Sequence, residues 1–412
     1  MGGCPVVHFD QHSPEHAQDA AGQLRTLRAE TPVFWTEAYG GFWVLTRYAD
    51  VARVARDDAT FSSFKDMHRG DSVSFSGVSI PPSPTRQLPI DIDSPELSTY
   101  RKMLAGRMAP ARARALRPRY EALADHFIDR FIESGEAELV TQLASPVPTA
   151  ATLEFLGLPI EDHELYAGPF HDYVAYPQGS EQFERAVAQR EICMERVADE
   201  VELRRREPRD DALTALVQSN IDGQPLPHED VMDWVRLVLG GGIDTTTALI
   251  AHSLVYLDDQ PQLREKLAAD PHALELFMEE MLRVSSPTQA LARTATRDVE
   301  IGGRLIRRGE RVLLSWASAN RDELAFTASE DVVVDRSPNP HTAFGLGPHR
   351  CIGSHFARVE YLAVLTKVLT RLPDYRLVSE GLAPYDTIGS INGWRSVPAR
   401  FTPGTPLGVP FA

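Results

Sequence analysis

Residues 343–353, AFGLGPHRCIG, set one thiol, Cys351, between glycines and basic residues near the end of the chain. The stretch that follows, IGSHFARVEYLAVLTKVLTRL, has the apolar spacing of an amphipathic helix. The sulfur then sits at a helix N-terminus, where free N–H groups and the helix dipole favour a thiolate. Gly345, Gly347 and Gly353 leave room for a bulky planar group, and His349 and Arg350 offer donors to acidic groups. The other two cysteines, Cys4 and Cys193, have no Cys or His nearby at chelating spacing. Three roles fit such a thiol: an inert buried group, a catalytic dyad with His349, or one thiolate on a metal whose other ligands come from a macrocycle, as in haem.

A second candidate lies in GGGIDTTT, residues 240–247. From Pro227 to Pro261 the chain holds no internal proline and its centre is apolar on most faces, the pattern of a helix running through a core. Three glycines in that helix cost about 1 kcal/mol each relative to alanine, and a threonine hydroxyl can take a backbone carbonyl out of the helix ladder and bend it. Close helix packing explains the glycines but not the buried pair Asp244 and Thr245. A carboxylate beside a hydroxyl at a helix distortion is suited to proton delivery. A third candidate, EEMLR at 279–283, spaces Glu280 and Arg283 as an i,i+3 ion pair, a signal of little specificity alone.

These groups need a large scaffold, and 412 residues with 43% hydrophobic and 24% charged composition supply one. The first 90 residues mix helical stretches (AGQLRTLRAE, YADVARVARD) with strand-like runs (VFWTE, FWVLT), and residues 62–90 form a long Ser/Pro/Gly-rich loop of the kind that carries function. Helical patterns dominate from about 96 to 285, and strands and turns follow to the end apart from the helix after Cys351. No apolar run approaches the ~18–20 residues of a membrane helix, the N-terminus lacks a secretory pattern, and Val6 occupies the position where a myristoylation signal wants Ser or Thr. Three scattered cysteines argue for a reducing, cytoplasmic setting. A net charge of −16 argues against nucleic-acid or anionic-membrane binding. Against that background LSTYRKMLAGRMAPARARALRPRY, residues 97–120, holds seven basic residues and no acid. It is either a solvated helix face or a docking surface for an acidic partner.

The motifs together resemble one family. FGLGPHRCIG matches the haem signature of the cytochrome P-450 family at Phe344, Gly347, Cys351 and Gly353, with Gly345 and His349 as in bacterial members. Glu280 and Arg283 are similar to the family's Glu-x-x-Arg pair, and GGIDTT at 241–246 resembles its oxygen-groove motif. NPHTAFG and ATRDVEIGG also look like bacterial members. With three motifs in family order over most of its length, the chain is identified as a haem-thiolate monooxygenase of the soluble, ferredoxin-dependent bacterial type.

The resemblance implies a mainly α fold with small β-sheets (α+β), a triangular helical body with a long helix over the haem, in a single domain spanning residues 1–412. It implies haem b as cofactor, with Cys351 as axial thiolate, Phe344, Gly345 and Gly353 around it, and His349, Arg293 and Arg101 near the propionates. Leu97 stands where many relatives carry a further His donor. Glu280 and Arg283 are implied as a structural pair, with Arg336 or a backbone carbonyl as partner. Thr245 is implied to hydrogen-bond the oxygen under activation and Asp244 to feed protons, which favours an O2-driven reaction over peroxide-driven or coupling relatives and over a non-catalytic haem protein. The family's pocket regions fall on Phe64, Met67, Phe75, Val78 and Ile80, on Phe170, Tyr173 and Tyr176, on Pro287 to Leu291 including Gln289, and on Ile388, Ile391 and Trp394. This apolar set implies a neutral lipophilic substrate. A ferredoxin would dock on the basic 101–119 run, and the protein is expected to act as a monomer.

Overall fold

The computed structural model describes residues 6–66 and 75–411; Cys4 and Met67 lie outside them. Most of the body is helical between Glu96 and Ser285, and small sheets lie at either end of the sequence, the mainly α architecture expected of the motifs. The longest single helix, Glu181–Arg206, shows why such elements form. Ser180 accepts from the Phe183 N–H as N-cap, Glu181 and Glu184 lie in the first turn, and Arg204 to Arg206 lie in the last. That charge order complements the helix dipole. Its buried positions, among them Ala186, Cys193, Val197 and Val201, recur at helical spacing and pack on helix His163–Ala175.

The central helix runs as two consecutive pieces, His228–Gly242 and Asp244–Leu257, broken at Ile243 (φ −75°, ψ −62°). The break has a local cause. The Thr245 hydroxyl donates to the Gly241 carbonyl at 2.8 Å, and the Thr247 hydroxyl donates to the Ile243 carbonyl at 2.8 Å. Side chains thus compete for the carbonyls that the ladder would use. The glycines divide the two explanations open at the sequence level. A Cβ on Gly242 would lie 2.5 Å from Thr152 Oγ1, so this one serves helix packing; Gly240 and Gly241 have nothing within 4 Å. Contrary to the sequence expectation, His228–Leu257 is long and apolar enough to cross a membrane, but it lies mostly inside the core.

A five-stranded sheet forms a second layer, in the order Val33–Thr36, Phe42–Leu45, Arg311–Ser315, Ala290–Ala295, Phe61–Ser62. Only Phe42–Leu45 and Arg311–Ser315 run parallel. Helix Tyr48–Arg56 covers one face, its Val51 and Val54 packed with Trp43, Leu45, Val312 and Trp316. The register places Arg293 opposite Val312, so a buried strand delivers this guanidinium inward. Helix Ser354–Arg371 packs against Asp244–Leu257 and against Arg117–Asp129, joining the thiol-bearing loop to the central helix.

Candidate active site

The loop before helix Ser354–Arg371 is built from the backbone up. Gly345 (φ +66°) and Gly347 (φ +71°) take left-handed conformations that other residues rarely adopt. The Cys351 N–H donates to the Phe344 carbonyl at 2.8 Å and closes the loop. The helix starts at Ser354, so the sulfur stands three residues before it rather than at its first turn. A nearer donor takes over: the Gly353 N–H is bonded to the sulfur. Gly347 does not provide clearance for a planar group as expected, because a Cβ there would meet the Ala55 carbonyl at 2.4 Å. It lets the loop lie against helix Tyr48–Arg56. At Gly345 a Cβ would meet only the His349 carbonyl at 3.8 Å, and at Gly353 only the Cys351 sulfur at 3.9 Å.

Cys351 has accessible surface, yet burial pushes its thiol up, against the pull of the Gly353 N–H, Arg101, Arg350 and Arg358. These two facts agree when the accessible area opens onto an enclosed space rather than bulk solvent. Gly240 and Gly241 likewise carry exposed surface in the middle of the central helix. Glu360, one element on from the thiol, is hydrogen-bonded to Thr246, and burial pushes its carboxyl up to about 8. From Ser354 to Glu360 is about 9 Å of helix, and the bond to Thr246 ties this helix to the central one next to Thr245. Cys193, in contrast, is buried, with its thiol pushed up to about 11 by burial, and fits the inert role.

Two guanidinium groups, Arg293 and Arg101, and the His349 ring lie close together near the thiol with little anion beside them. His349 Nε2 is buried without a partner among the described residues. Its ring is pushed down to about 3 by burial first and then by Arg293 and Arg101. Arg293 is 2% exposed, and burial lowers it to about 10 despite Asp93, Asp91 and Asp58; its one hydrogen bond among the described residues goes to the Ala292 carbonyl at 2.8 Å. Arg101 donates to the Arg350 carbonyl at 2.9 Å. Such a donor set, with a lone thiol and open helix surface, fits a flat macrocycle bearing two carboxylates. Leu97 is buried in the hydrophobic core and adds no donor.

Behind the thiol loop, Glu280 and Arg283 are fully buried and paired through both carboxylate oxygens, at 2.7 and 2.9 Å. Arg336 donates to the same carboxylate at 3.0 Å, with the Val333 N–H and Asn339. Arg283 also donates to the carbonyls of Asn320, Ser329 and Asp331. Asn320 Oδ1 in turn accepts from the Thr342 N–H at 2.6 Å, and the Thr342 carbonyl accepts from the Gly345 N–H at 2.8 Å. A continuous chain of hydrogen bonds therefore runs from the ion pair to the thiol loop. Its neighbour Glu279, which sequence reasoning passed over, holds Arg358 and His341. The Arg358 guanidinium lies 4.4 Å from the Phe344 ring centroid. Although burial opposes it, these two partners hold the Glu279 carboxyl down at about 2.

On the central helix Asp244 is 1% exposed, but it is not a free carboxylate. His171 Nδ1 lies 2.8 Å from Oδ1, and the Tyr385 hydroxyl donates to Oδ2 at 2.7 Å. His171 comes from helix His163–Ala175 and Tyr385 from the C-terminal segment, and neither belongs to a sequence motif. Burial works against a charged His171, yet the Asp244 carboxylate raises it; burial and then Asp244 push the Tyr385 phenol far up.

The pocket candidates separate. Ile388 and Ile391 cluster with Ala175, Ala248 and Tyr385 beside Asp244. Leu291 is half-buried on the sheet, and Phe75 packs edge-on to Phe64 at 6.3 Å. Val78 is buried, and its carbonyl accepts from the Ala292 N–H, so its backbone lines the Arg293 strand. Three sets of candidates make contacts of their own. Gln289 is buried and its amide donates to the Ser285 and Ser286 carbonyls, capping a helix. Phe170 and Tyr173 hold the Arg190 guanidinium at 4.6 and 3.8 Å from their ring centroids, so they stack on a cation rather than form a bare apolar wall. Trp394 donates to His252 at 3.1 Å, a full two turns past Thr245.

The family model described as Cytochrome P450 matches residues 168–373. The chain is 31% identical to the steroid C26-monooxygenase of Mycobacterium tuberculosis (strain ATCC 25618 / H37Rv), over 95% of this chain and 96% of that one. It is 33% identical to the linalool 8-monooxygenase of Pseudomonas putida, over 86% and 89%. Among solved structures, the Mycobacterium marinum cytochrome P450 CYP268A2 in complex with pseudoionone superposes with a TM-score of 0.86 at 30% identity, covering 97% of this chain and all of that one. Likeness over nearly the whole length, at a site built this way, fixes the family: the chain belongs to the cytochromes P450 and is a monooxygenase with haem b as its cofactor.

Proposed function

We propose that the protein inserts one atom of O2 into a C–H bond of a neutral lipophilic small molecule, with electrons from a ferredoxin and its reductase. The observation that carries this reading is the intact Asp244–Thr245 pair at the helix break, with the Thr245 hydroxyl on the Gly241 carbonyl and Asp244 held between His171 and Tyr385. Cys351 would hold the haem iron, and His349, Arg293 and Arg101 its propionates. When bound, haem b supplies oxygen activation and C–H cleavage. The chain supplies the rest. Thr245 presents a hydroxyl whose hydrogen bond to Gly241 can be exchanged for one to a ligand, and Asp244 is the nearest acid able to replace a proton given up there. The buried cluster of Ile388, Ile391 and Ala248 excludes water on that side and offers apolar contact to a lipophilic substrate. Relatives named for a steroid and for linalool support that class.

Replacing Thr245 with alanine should leave NAD(P)H consumption within about twofold of wild type, while product per electron falls about tenfold or more and hydrogen peroxide accumulates. Unchanged product yield in this variant, or turnover driven only by added peroxide, would count against the O2-driven reading.

The donor surface is narrower than the whole basic run. Arg107 pairs with Asp210 at 2.7 Å, and Arg117 and Arg119 pair with Glu121 and Glu154 at 2.8 Å each. Lys102, Arg112 and Arg114 are exposed without an ion pair among the described residues. Arg114, Arg350 and Arg358 all act on His355, four residues past the thiol, which supports a positive patch on the thiol side of the protein. On a chain of net charge −16 this is a local inversion that suits an acidic partner. The triple variant Lys102→Glu, Arg112→Glu, Arg114→Glu should slow first-electron transfer from ferredoxin at least tenfold at low salt, with substrate affinity unchanged, as read by stopped-flow reduction. A rate unaltered by the charge reversal would remove the docking assignment.

A further inference from the structure

Three arginines act on the Cys351 sulfur, namely Arg101, Arg350 and Arg358. Their charges are balanced differently. Arg101 gives a donor to the Arg350 carbonyl, whereas Arg358 is the one of the three in an ion pair among the described residues. Its Nε and Nη2 both face the Glu279 carboxylate, the latter at 2.9 Å. Its Nη1 donates to the Ser354 carbonyl at 3.2 Å, and its guanidinium lies 4.4 Å from the Phe344 ring centroid. Phe344 in turn accepts the Cys351 N–H at 2.8 Å, so the cation is fixed against the thiol loop. His341 belongs to the same cluster, with its ring 6.1 Å from that of Phe344 and its Nε2 2.8 Å from Glu279 Oε2. A carboxylate only accepts, which places a proton on Nε2; Nδ1 accepts from the Ala343 N–H at 3.3 Å, the arrangement of a neutral ring. The cluster thus holds one positive and one negative charge. The Arg358 and Glu279 side chains are 22% and 27% exposed, so bulk water screens them only in part.

We propose that Glu279 sets the electron affinity of the haem iron: by neutralising Arg358 it fixes how much positive charge the Cys351 thiolate meets. This rests on Cys351 being the iron ligand. The step concerned is the one-electron reduction of ferric iron by the donor protein, in which the iron gains the electron and no bond in the protein forms or breaks. Positive charge beside a thiolate ligand weakens its donation to the iron and favours the reduced state, and its cancellation does the reverse. Arg358 left unpaired would pull the equilibrium toward ferrous iron. Paired with Glu279, it leaves the sulfur the stronger donor, and donation from the sulfur is what favours O–O cleavage. Glu279 therefore gives up ease of reduction in return for reactivity. Its neighbour Glu280 cannot stand in, because its carboxylate is committed to Arg283 and Arg336. Glu279 acts through Arg358 and is a positioning residue.

The test is a spectroelectrochemical titration of the haem-loaded, substrate-free enzyme at fixed pH and salt. Glu279→Gln keeps the size of the side chain and leaves Arg358 without its counter-charge. The ferric–ferrous equilibrium should shift about tenfold toward ferrous, a rise of about 59 mV for one electron. Arg358→Met keeps an unbranched chain against Phe344 and should shift the equilibrium by a similar factor the other way. The double variant removes both charges and should return to within about threefold of wild type. Arg358→Lys retains the charge beside Glu279 and should also stay within about threefold. The thiolate-type band of the reduced carbon-monoxide complex should move in opposite directions in the two single variants. A purely structural role would loosen the loop in both and move the potential one way. Shifts in the same direction would overturn the proposal, as would a change under about twofold in Glu279→Gln; that variant decides alone if Arg358→Met does not hold haem. Absence of the thiolate band in wild type would instead remove the Cys351 assignment beneath the proposal.

Discussion

Replacing Arg283 with leucine should cost about 3–5 kcal/mol of stability, the range for removing one partner of a buried ion pair. The guanidinium and its carboxylate are both fully buried, so neither can fall back on solvent. Leucine removes the bidentate bond to Glu280 and also strips donors from the carbonyls of Asn320, Ser329 and Asp331. Arg336, Asn339 and the Val333 N–H still face the Glu280 carboxylate, which limits the loss. A domain's whole stability is about 5–15 kcal/mol, so the variant should unfold at markedly lower urea concentration. Because Arg283 reaches the thiol loop through Asn320 and Thr342, haem should be lost before global unfolding. The double variant Glu280→Leu, Arg283→Leu should be less destabilised than the sum of the two single variants, by about 1–3 kcal/mol. A single-variant loss under about 1 kcal/mol would show that the pair does not hold this side of the fold.

Cys351→Ser should have the opposite profile, with little change in stability and complete loss of the thiolate-type band of the reduced carbon-monoxide complex. The loop is closed by the backbone bond from the Cys351 N–H to the Phe344 carbonyl, which any residue can make. The sulfur itself faces the enclosed space, so exchanging it for oxygen disturbs no packing, and surface-like substitutions shift stability by within about 0.5 kcal/mol. Its chemistry is another matter. Arg101, Arg350 and Arg358 and the Gly353 N–H all favour a negative sulfur against the cost of burial, and a neutral hydroxyl cannot use them. Turnover should vanish with the band. A serine variant that kept the band would remove Cys351 from its assigned role.

Much of this site was legible because its parts are short in sequence. The thiol loop, the Glu280–Arg283 pair and the Asp244–Thr245 break each lie within one turn or one helix, where spacing dictates geometry. What stayed hidden is what the fold brings from afar. His171 lies 73 residues before Asp244 and Tyr385 141 after it, and neither sits in a pattern that spacing could flag. Glu279 was in view as the neighbour of Glu280, but nothing local says that one acid turns to Arg283 and the other to Arg358. Side-chain polarity alone did not show that Gln289, a polar group in an apolar stretch, caps a helix. Nor did the sequence show that the Phe170 ring stacks on a cation from the next helix. The first strands of the sheet were readable as short apolar runs, whereas the inward aim of Arg293 depends on register with a strand reached only after a hairpin.

Gly347 has a consequence for how the iron is located. With the Ala55 carbonyl 2.4 Å from where a side chain would begin, the thiol loop has no freedom to move toward helix Tyr48–Arg56. That helix belongs to the sheet layer, while the opposite end of the loop leads into the helical body. The contact therefore works as a mechanical stop, setting the lateral coordinate of the sulfur from one layer while the other sets its depth. Gly347→Ala should accordingly displace the loop and the sulfur with it, seen as a broadened or doubled thiolate band together with a lowered unfolding midpoint, since the φ of +71° and the Ala55 carbonyl both oppose a side chain there.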